Sequence, residues 1–309
     1  MAFLHDFLHM VVLSLPCMLA LGLLFGSLLN VVIYRSPRIV ERQAWEEAAE
    51  LCGSEKSWAL AFGSAARPEH LAEVARGLDE ALDRTPAPSL WHPPSACPKC
   101  SRPIRWYENI PVASWLWLRA KCAGCGLPIA ARYPLVELAV MMIFGMLTYR
   151  LGPQVPLIGW AFFGASMVAL GLIDHDTCLL PDRMTLGLLW VGLVVAAAGW
   201  TVPASLAITG AAVGYAVTVG LNFLCLVLLG KPAFAAGDAK MMAAIGAWMG
   251  HPELVLAALA LAIVLGGAVA GVRILRKQGG GVMPFGPYLG IAGLSFALVG
   301  PEFIHAWIR

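Results

Sequence analysis

Two aspartates sit at the edges of apolar segments: Asp174 closes the run ASMVALGLID, and Asp238 opens the run GDAKMMAAIGAWMG. A carboxylate at a membrane boundary is costly and so tends to have a task. Two of them at one face of a bilayer could share a proton, one carboxyl acting as acid and the other as base. Such a pair hydrolyses peptide bonds. The bland alternative is two unrelated helix-end carboxylates, and the helix dipole alone would favour Asp238 at a helix N-terminus. Convergence of two acids on one face, with Gly237 beside one of them, weighs against it. A second set of residues could bind metal. Cys97 and Cys100 lie in CPKCSRPI, and Cys122 and Cys125 in CAGCGLPI, two copies of one eight-residue pattern. They read as two zinc knuckles that give four thiolates to one tetrahedral zinc. Redox-active or disulfide-bonded CxxC units are the alternative, and a cytoplasmic location argues against structural disulfides. Four thiolates leave no open coordination position, so this zinc is structural. Cys17, Cys52, Cys178 and Cys225 lack partner spacing, and Cys17 and Cys225 read as small apolar fillers.

The elements that must position these groups are apolar helices. The chain is 59% hydrophobic and 13% charged, against about 25% charged in a soluble domain. That composition describes a polytopic membrane protein. A span needs roughly 20 apolar residues, and the candidates are 10–34, 133–150, 156–174, 184–200, 204–230, 238–250, 253–274 and 285–304. The segment 238–250 is short and reads as a half-span or one that leans on its neighbours. The expected fold is all-α, with about eight transmembrane helices and a small cytoplasmic zinc-knuckle domain between the first and second. The expected divisions are a first helix at 1–34, a cytoplasmic domain at 35–132 and a transmembrane peptidase domain at 133–309. The start does not read as a cleaved signal peptide, because no Lys or Arg precedes Arg35 and the apolar run is too long.

Charge placement gives sidedness. Residues 35–132 hold 13 of the 21 Lys and Arg and 11 of the 19 Asp and Glu. If they are cytoplasmic, the inner loops also collect Arg183, Lys231, Lys240, Arg273, Arg276 and Lys277, and only Arg150 and Arg309 fall outside. That bias follows the positive-inside rule and puts both termini outside the cytoplasm. Asp174 then ends its helix at the cytoplasmic face, and Asp238 begins its own there. No basic tract of nucleic-acid character appears. The stretch IRWYENIPVASWLWLRAK, rich in Trp and Arg, packs on the membrane surface or cups a ligand. Residues 41–85 read as an amphipathic helical pair without chemistry.

Several segments resemble the bacterial prepilin peptidases, the bifunctional type IV leader peptidase/N-methyltransferases, which are aspartic proteases of the GxGD type. They are FGSLLNVVIYRSP (25–37), the double CxxC with RWYENIPVASWL between its pairs, ARYPLVEL (131–138), LIDHDTCLLPD (172–182), AAGDAKMMAAIGAWMG (235–250) and PFGPYL (284–289). They run in the family's order through nearly the whole chain. The resemblance implies Asp174 and Asp238 as catalytic carboxylates, with Asp176, Asp182, Gly237 and Lys240 as supporting residues. Asp176 could support Asp174, and Asp182 is expected to order its loop as a helix cap before Arg183. His175 and Glu137 are possible site neighbours that read more readily as structural hydrogen-bonding residues. Two departures stand out. Ala235 occupies the first Gly position of GxGD, which adds a methyl and removes easy access to φ > 0. The 41–90 region is longer than the family leads one to expect.

The resemblance further implies the reaction: one carboxylate activates water, and the other, protonated, polarises the scissile carbonyl and protonates the leaving amine. The implied substrates are prepilins or pseudopilins of type IV pili or type II secretion, cut after a basic leader and before an apolar helix. The implied location is the bacterial inner membrane, with the site facing the cytoplasm. N-methylation from S-adenosylmethionine rests on resemblance alone, since no GxGxxG follows a strand, and the 91–132 segment is the best place for it. Rival readings are a GxGD protease of other membrane signal segments, a carboxylate-relay transporter and a zinc-stabilised assembly factor. A relay would need polar groups through the membrane depth, whereas these acids cluster at one edge.

Overall fold

The computed structural model describes residues 11–63, 67–277 and 283–299, and among these it is helical, with no strand. By contacts the chain forms two units, Met1–Ile33 with Ala96–Arg309, and Tyr34–Ser95. The 35–132 segment thus contributes residues to both.

The first helix, α1, runs Leu15–Gly53. It does not stop near residue 34 as expected. Pro37 lies inside it, and the ERQAWEEAAEL stretch that follows is made of strong helix formers, which carry the helix past the missing N–H. In the second unit α1 is followed by α2 (Glu55–Phe62) and α3 (Glu69–Asp83). Ser54 caps α2 by accepting the Ser57 N–H at 3.1 Å. Arg42 of α1 donates to the carbonyls of Leu82 and Thr85 at 2.8 and 2.9 Å, which ties α1 to the end of α3.

In the first unit a 3₁₀ turn at Trp106–Asn109 and the short α4 (Ala113–Trp117) precede seven apolar helices. These are α5 (Arg132–Leu151), α6 (Pro156–Thr177), α7 (Asp182–Ala197), α8 (Ala204–Leu229), α9 (Ala236–Met249), α10 (Pro252–Leu275) and α11 (Gly286–Val299). All eight sequence-derived segments fall on helices, though the ends of the first and last lie outside the described residues. Among the described residues five helices, α1, α5, α6, α8 and α10, are long and apolar enough to cross a membrane.

α9 is the centre of the bundle. Its 14 residues span about 21 Å at 1.5 Å per residue, short of a hydrocarbon core of about 30 Å. Every residue from Met241 to Gly250 is buried, so the helix leans on neighbours instead of lipid. In lipid, helices associate through close packing. A Cβ on Gly214 of α8 would lie 2.5 Å from the Met242 carbonyl oxygen, and Gly210 packs directly on Gly246. Trp248 is fully buried, and its indole Nε1 donates to the Leu188 carbonyl of α7 at 3.0 Å. A second apolar cluster joins Met18, Leu29 and Ile33 of α1 to Val140, Phe144 and Leu147 of α5.

Candidate active site and metal centre

α6 carries Asp174 in its last turn. The helix ends at Cys178, which takes the left-handed conformation (φ 52°) and donates its N–H to the Asp174 carbonyl at 2.8 Å. α9 carries Asp238 in its first turn, where the carboxylate accepts the Ala235 N–H at 2.8 Å. Ala235 itself has φ −79°, ψ 161°. This is ordinary extended backbone, so alanine meets no conformational penalty where a glycine was expected.

Both aspartates are buried, at 5% and 4% exposure. The same side of the bundle gathers their surroundings. Arg132, at the start of α5, pairs with Asp176, at the end of α6, at 2.6 Å. Lys240, in the first turns of α9, holds both oxygens of Asp182, at the start of α7, at 2.6 and 2.7 Å. The expectation of Asp182 as a helix cap is therefore corrected. Pro181 is the N-cap of α7, no side chain caps it, and Asp182 reaches across to Lys240. Asp176 likewise turns to Arg132.

Glycines allow the approach. A Cβ on Gly237 would lie 2.8 Å from the Leu180 Cβ, so only glycine lets α9 start against the loop after α6. The sequence reading gave no role to Gly286. Its N–H donates to Asp174 Oδ2 at 2.7 Å, and a Cβ there would lie 2.8 Å from both Asp174 Cβ and Oδ2. The PFGPYL segment held that signal, since a glycine after Pro and Phe marks backbone that must come close to something. Phe285 of the same segment packs on Phe234, with ring centroids 4.8 Å apart, and so joins the turns that lead into α9 and α11. Gly286→Ala should force the Asp174 carboxylate aside. Displacements near 1 Å at a reacting group can reduce rate by about 10²-fold, so kcat/KM for the cleavage proposed below should fall about that far, with helix content by circular dichroism unchanged. Unaltered kinetics would remove Gly286 from the site.

Glu137 is buried and structural. It accepts the Val112 N–H at 2.7 Å. Gly26 packs on its backbone, and Asn30 donates to the Tyr133 carbonyl at 3.1 Å. FGSLLN, IPVASW and RYPLVEL thus meet at one carboxylate.

The cysteine segment folds as two matching knuckles. Cys97 N–H donates to the Arg102 carbonyl at 3.0 Å and Ser101 N–H to the Cys97 carbonyl at 2.9 Å. In the second copy Cys122 N–H donates to Leu127 at 2.8 Å and Gly126 N–H to Cys122 at 2.9 Å. The fifth residue of each copy is left-handed, Ser101 at φ 56° and Gly126 at φ 70°. The four sulfur atoms lie within 4.8 Å of one another, with Cys97 Sγ 3.7 Å from Cys125 Sγ and Cys100 Sγ 4.0 Å from Cys122 Sγ. Tetrahedral Zn–S bonds of about 2.3 Å place sulfurs roughly 3.8 Å apart, so the set fits a metal ion. The backbone N–H groups of Cys100 and Lys99 hold the Cys97 thiol down to about 6, and those of Cys125 and Gly124 lower Cys122. Both therefore favour the thiolate, the form that ligates metal, whereas Cys125, despite the Leu127 N–H, is pushed up to about 11 by burial and the neighbouring thiols.

The fold and site define a helical protein of membrane-spanning character, with two buried carboxylates at the ends of separate helices and a separate four-cysteine cluster. Residues 20–151 match the bacterial peptidase A24 N-terminal domain, and residues 161–271 match the type IV leader peptidase family. The prepilin leader peptidase/N-methyltransferase of Aeromonas hydrophila is 38% identical over 294 residues, covering 93% of this chain and 90% of that protein. Its namesakes from Pseudomonas putida and Pseudomonas aeruginosa are 39% and 36% identical, covering 91% and 95% of this chain and 89% and 93% of their own. The chain belongs to this prepilin leader peptidase/N-methyltransferase family. No solved structure matches it.

Proposed function

We propose that this protein is a membrane-embedded aspartic endopeptidase that removes the leader of type IV prepilins or type II secretion pseudopilins and N-methylates the new N-terminus. The observation that carries the reading is that the buried Asp174 and Asp238, from separate helices, are held by neighbouring turns: the Gly286 N–H holds Asp174, the Ala235 N–H holds Asp238, and Phe285 packs on Phe234 beside them. One carboxylate takes a proton from water as it attacks the scissile carbonyl. The other, protonated, donates to the carbonyl oxygen and then to the leaving amine. No covalent intermediate forms. Gly286 N–H and Ala235 N–H hold the two carboxylates in place, and the Asp182–Lys240 pair ties α7 to α9.

In this reading all eight apolar helices belong to the membrane domain, α7, α9 and α11 as short members. Residues 1–34 form the first span, 35–132 the cytoplasmic segment and 133–309 the peptidase domain. The location is the bacterial inner membrane, with the aspartates at the cytoplasmic face. Cys97, Cys100, Cys122 and Cys125 hold a structural zinc that fixes the 91–132 segment. S-adenosylmethionine, when bound, supplies the methyl group to the amine that cleavage frees. A relay transporter is disfavoured by the buried polar side chains among the described residues. Besides Glu137, Asp174 and Asp238 these are Thr148, Thr185 and Thr218, and each threonine bonds a carbonyl of its own helix or cap.

The test is purified protein in detergent with a prepilin and S-adenosylmethionine, read by mass spectrometry. The expected product lacks the leader and carries one methyl group at its new N-terminus. An intact precursor after prolonged incubation with folded, zinc-loaded protein would defeat the proposal.

A further inference from the structure

The structure contains a cavity of about 220 Å³ that the reaction above does not use. Its walls include Tyr215, Val219 and Asn222 of α8, Phe234 and Ala235 of the preceding turn, and Ala239 of α9. Ala235 and Ala239 flank Asp238 in sequence, and the Asp238 carboxylate holds the Ala235 N–H. The cavity therefore shares a wall with the first turn that carries the carboxylate. Resting on the peptidase reading, we propose that this cavity is a substrate pocket for a large apolar side chain of the membrane segment just after the cut bond.

Size, position and chemistry support that occupant. A cavity of roughly 150 Å³ lined by apolar side chains binds a benzene ring, so this one holds one large side chain. Two of its lining residues, Tyr215 and Val219, are 48% and 42% exposed. These continue into the exposed apolar face of α8 at Phe223, Leu226 and Val227, so an apolar helix arriving through the bilayer meets an apolar surface that leads to the pocket. Small residues next to Asp238 keep the pocket open, and Ala235 and Ala239 would fill it if enlarged. Asn222 anchors the floor. Its Oδ1 accepts the N–H groups of Ala233 and Phe234, both at 2.9 Å, which commits the oxygen end and leaves the NH₂ end as a donor for a substrate carbonyl.

The experiment compares wild type, Val219→Trp, which fills the pocket from its exposed wall, and Ile208→Trp, at an exposed position of the same helix away from both the pocket and its apolar approach. Each is assayed with a prepilin and with the same prepilin shortened to Ala at the first large apolar residue after the cut. For the intact substrate, Val219→Trp should lower kcat/KM at least about tenfold, mostly through KM, as loss of uniform binding does. Ile208→Trp should match wild type. The Ala-shortened substrate should already be cut poorly by wild type, and Val219→Trp should impair it no further. If wild type cuts the prepilin but Val219→Trp behaves like Ile208→Trp, the pocket assignment fails. It fails equally if Val219→Trp impairs both substrates by the same factor. Wild type that leaves every prepilin uncut refutes the peptidase reading itself, a distinguishable outcome.

Discussion

Asn in place of either Asp174 or Asp238 is expected to stop leader removal while the protein still accumulates in the membrane. Acid–base catalysis by a positioned side chain contributes roughly 10²–10⁴-fold, and loss of one member of a pair that works as a unit removes at least that much. Asn is nearly isosteric, and its Oδ1 can still accept the Gly286 or Ala235 N–H now bound to the carboxylate. The fold should therefore persist. Asp176→Asn and Asp182→Asn should keep cleavage, because each sits in a partly exposed pair with Arg132 or Lys240, and such pairs contribute about 0–1 kcal/mol. A variant set in which Asp176→Asn is dead and Asp174→Asn cleaves normally would overturn the choice of first carboxylate. Both aspartate variants should also yield no methylated pilin from a precursor, since methylation needs the freed amine, yet should methylate a synthetic mature N-terminus. Loss of that activity in a well-expressed Asp238→Asn protein would argue for one shared site.

Cys97→Ser with Cys100→Ser should have the converse effect. The purified protein is expected to hold about one zinc per chain, measurable by elemental mass spectrometry, and the double variant to hold none. The two knuckles have few hydrogen bonds of their own and no buried apolar core: Cys97 is the one fully buried apolar residue among positions 96–132. Metal binding in such a segment is folding free energy. Residues 91–132 should lose protection in hydrogen exchange, protein levels should fall, and methylation should fail. Cleavage should survive in part, because the aspartates stand on α6 and α9, whose packing on α7, α8 and α11 involves no knuckle residue. An active, metal-free preparation with free thiols at all four positions would contradict the structural role.

The knuckles were legible because ligand chemistry is local. Four cysteines in two copies of one pattern state both the donor atoms and their spacing, and the structure added only that Ser101 must adopt the left-handed turn that Gly126 takes freely. The apolar helices were legible for a similar reason: hydropathy sums over a segment and does not depend on partners. The end of α1 was not, because Pro37 looks like a stop, whereas the residues after it are strong enough helix formers to continue. Asp182 was misread because a carboxylate after Leu-Pro fits a cap pattern, and its real partner, Lys240, is 58 residues away.

The sequence by itself determined the chemical inventory: two acids at helix edges, four thiolates in register, and the motifs that mark the family. Tertiary structure alone decided how that inventory is held. The Gly286 N–H on Asp174, the glycine contacts that seat α9 on α8, the fit of Gly237 against Leu180 and the cavity beside Ala235 all join residues far apart in the chain. Such approaches depend on the absence of a Cβ at one point and the shape of a neighbour at another. Hydropathy and spacing register which groups are present along a chain, and only packing determines which of them touch.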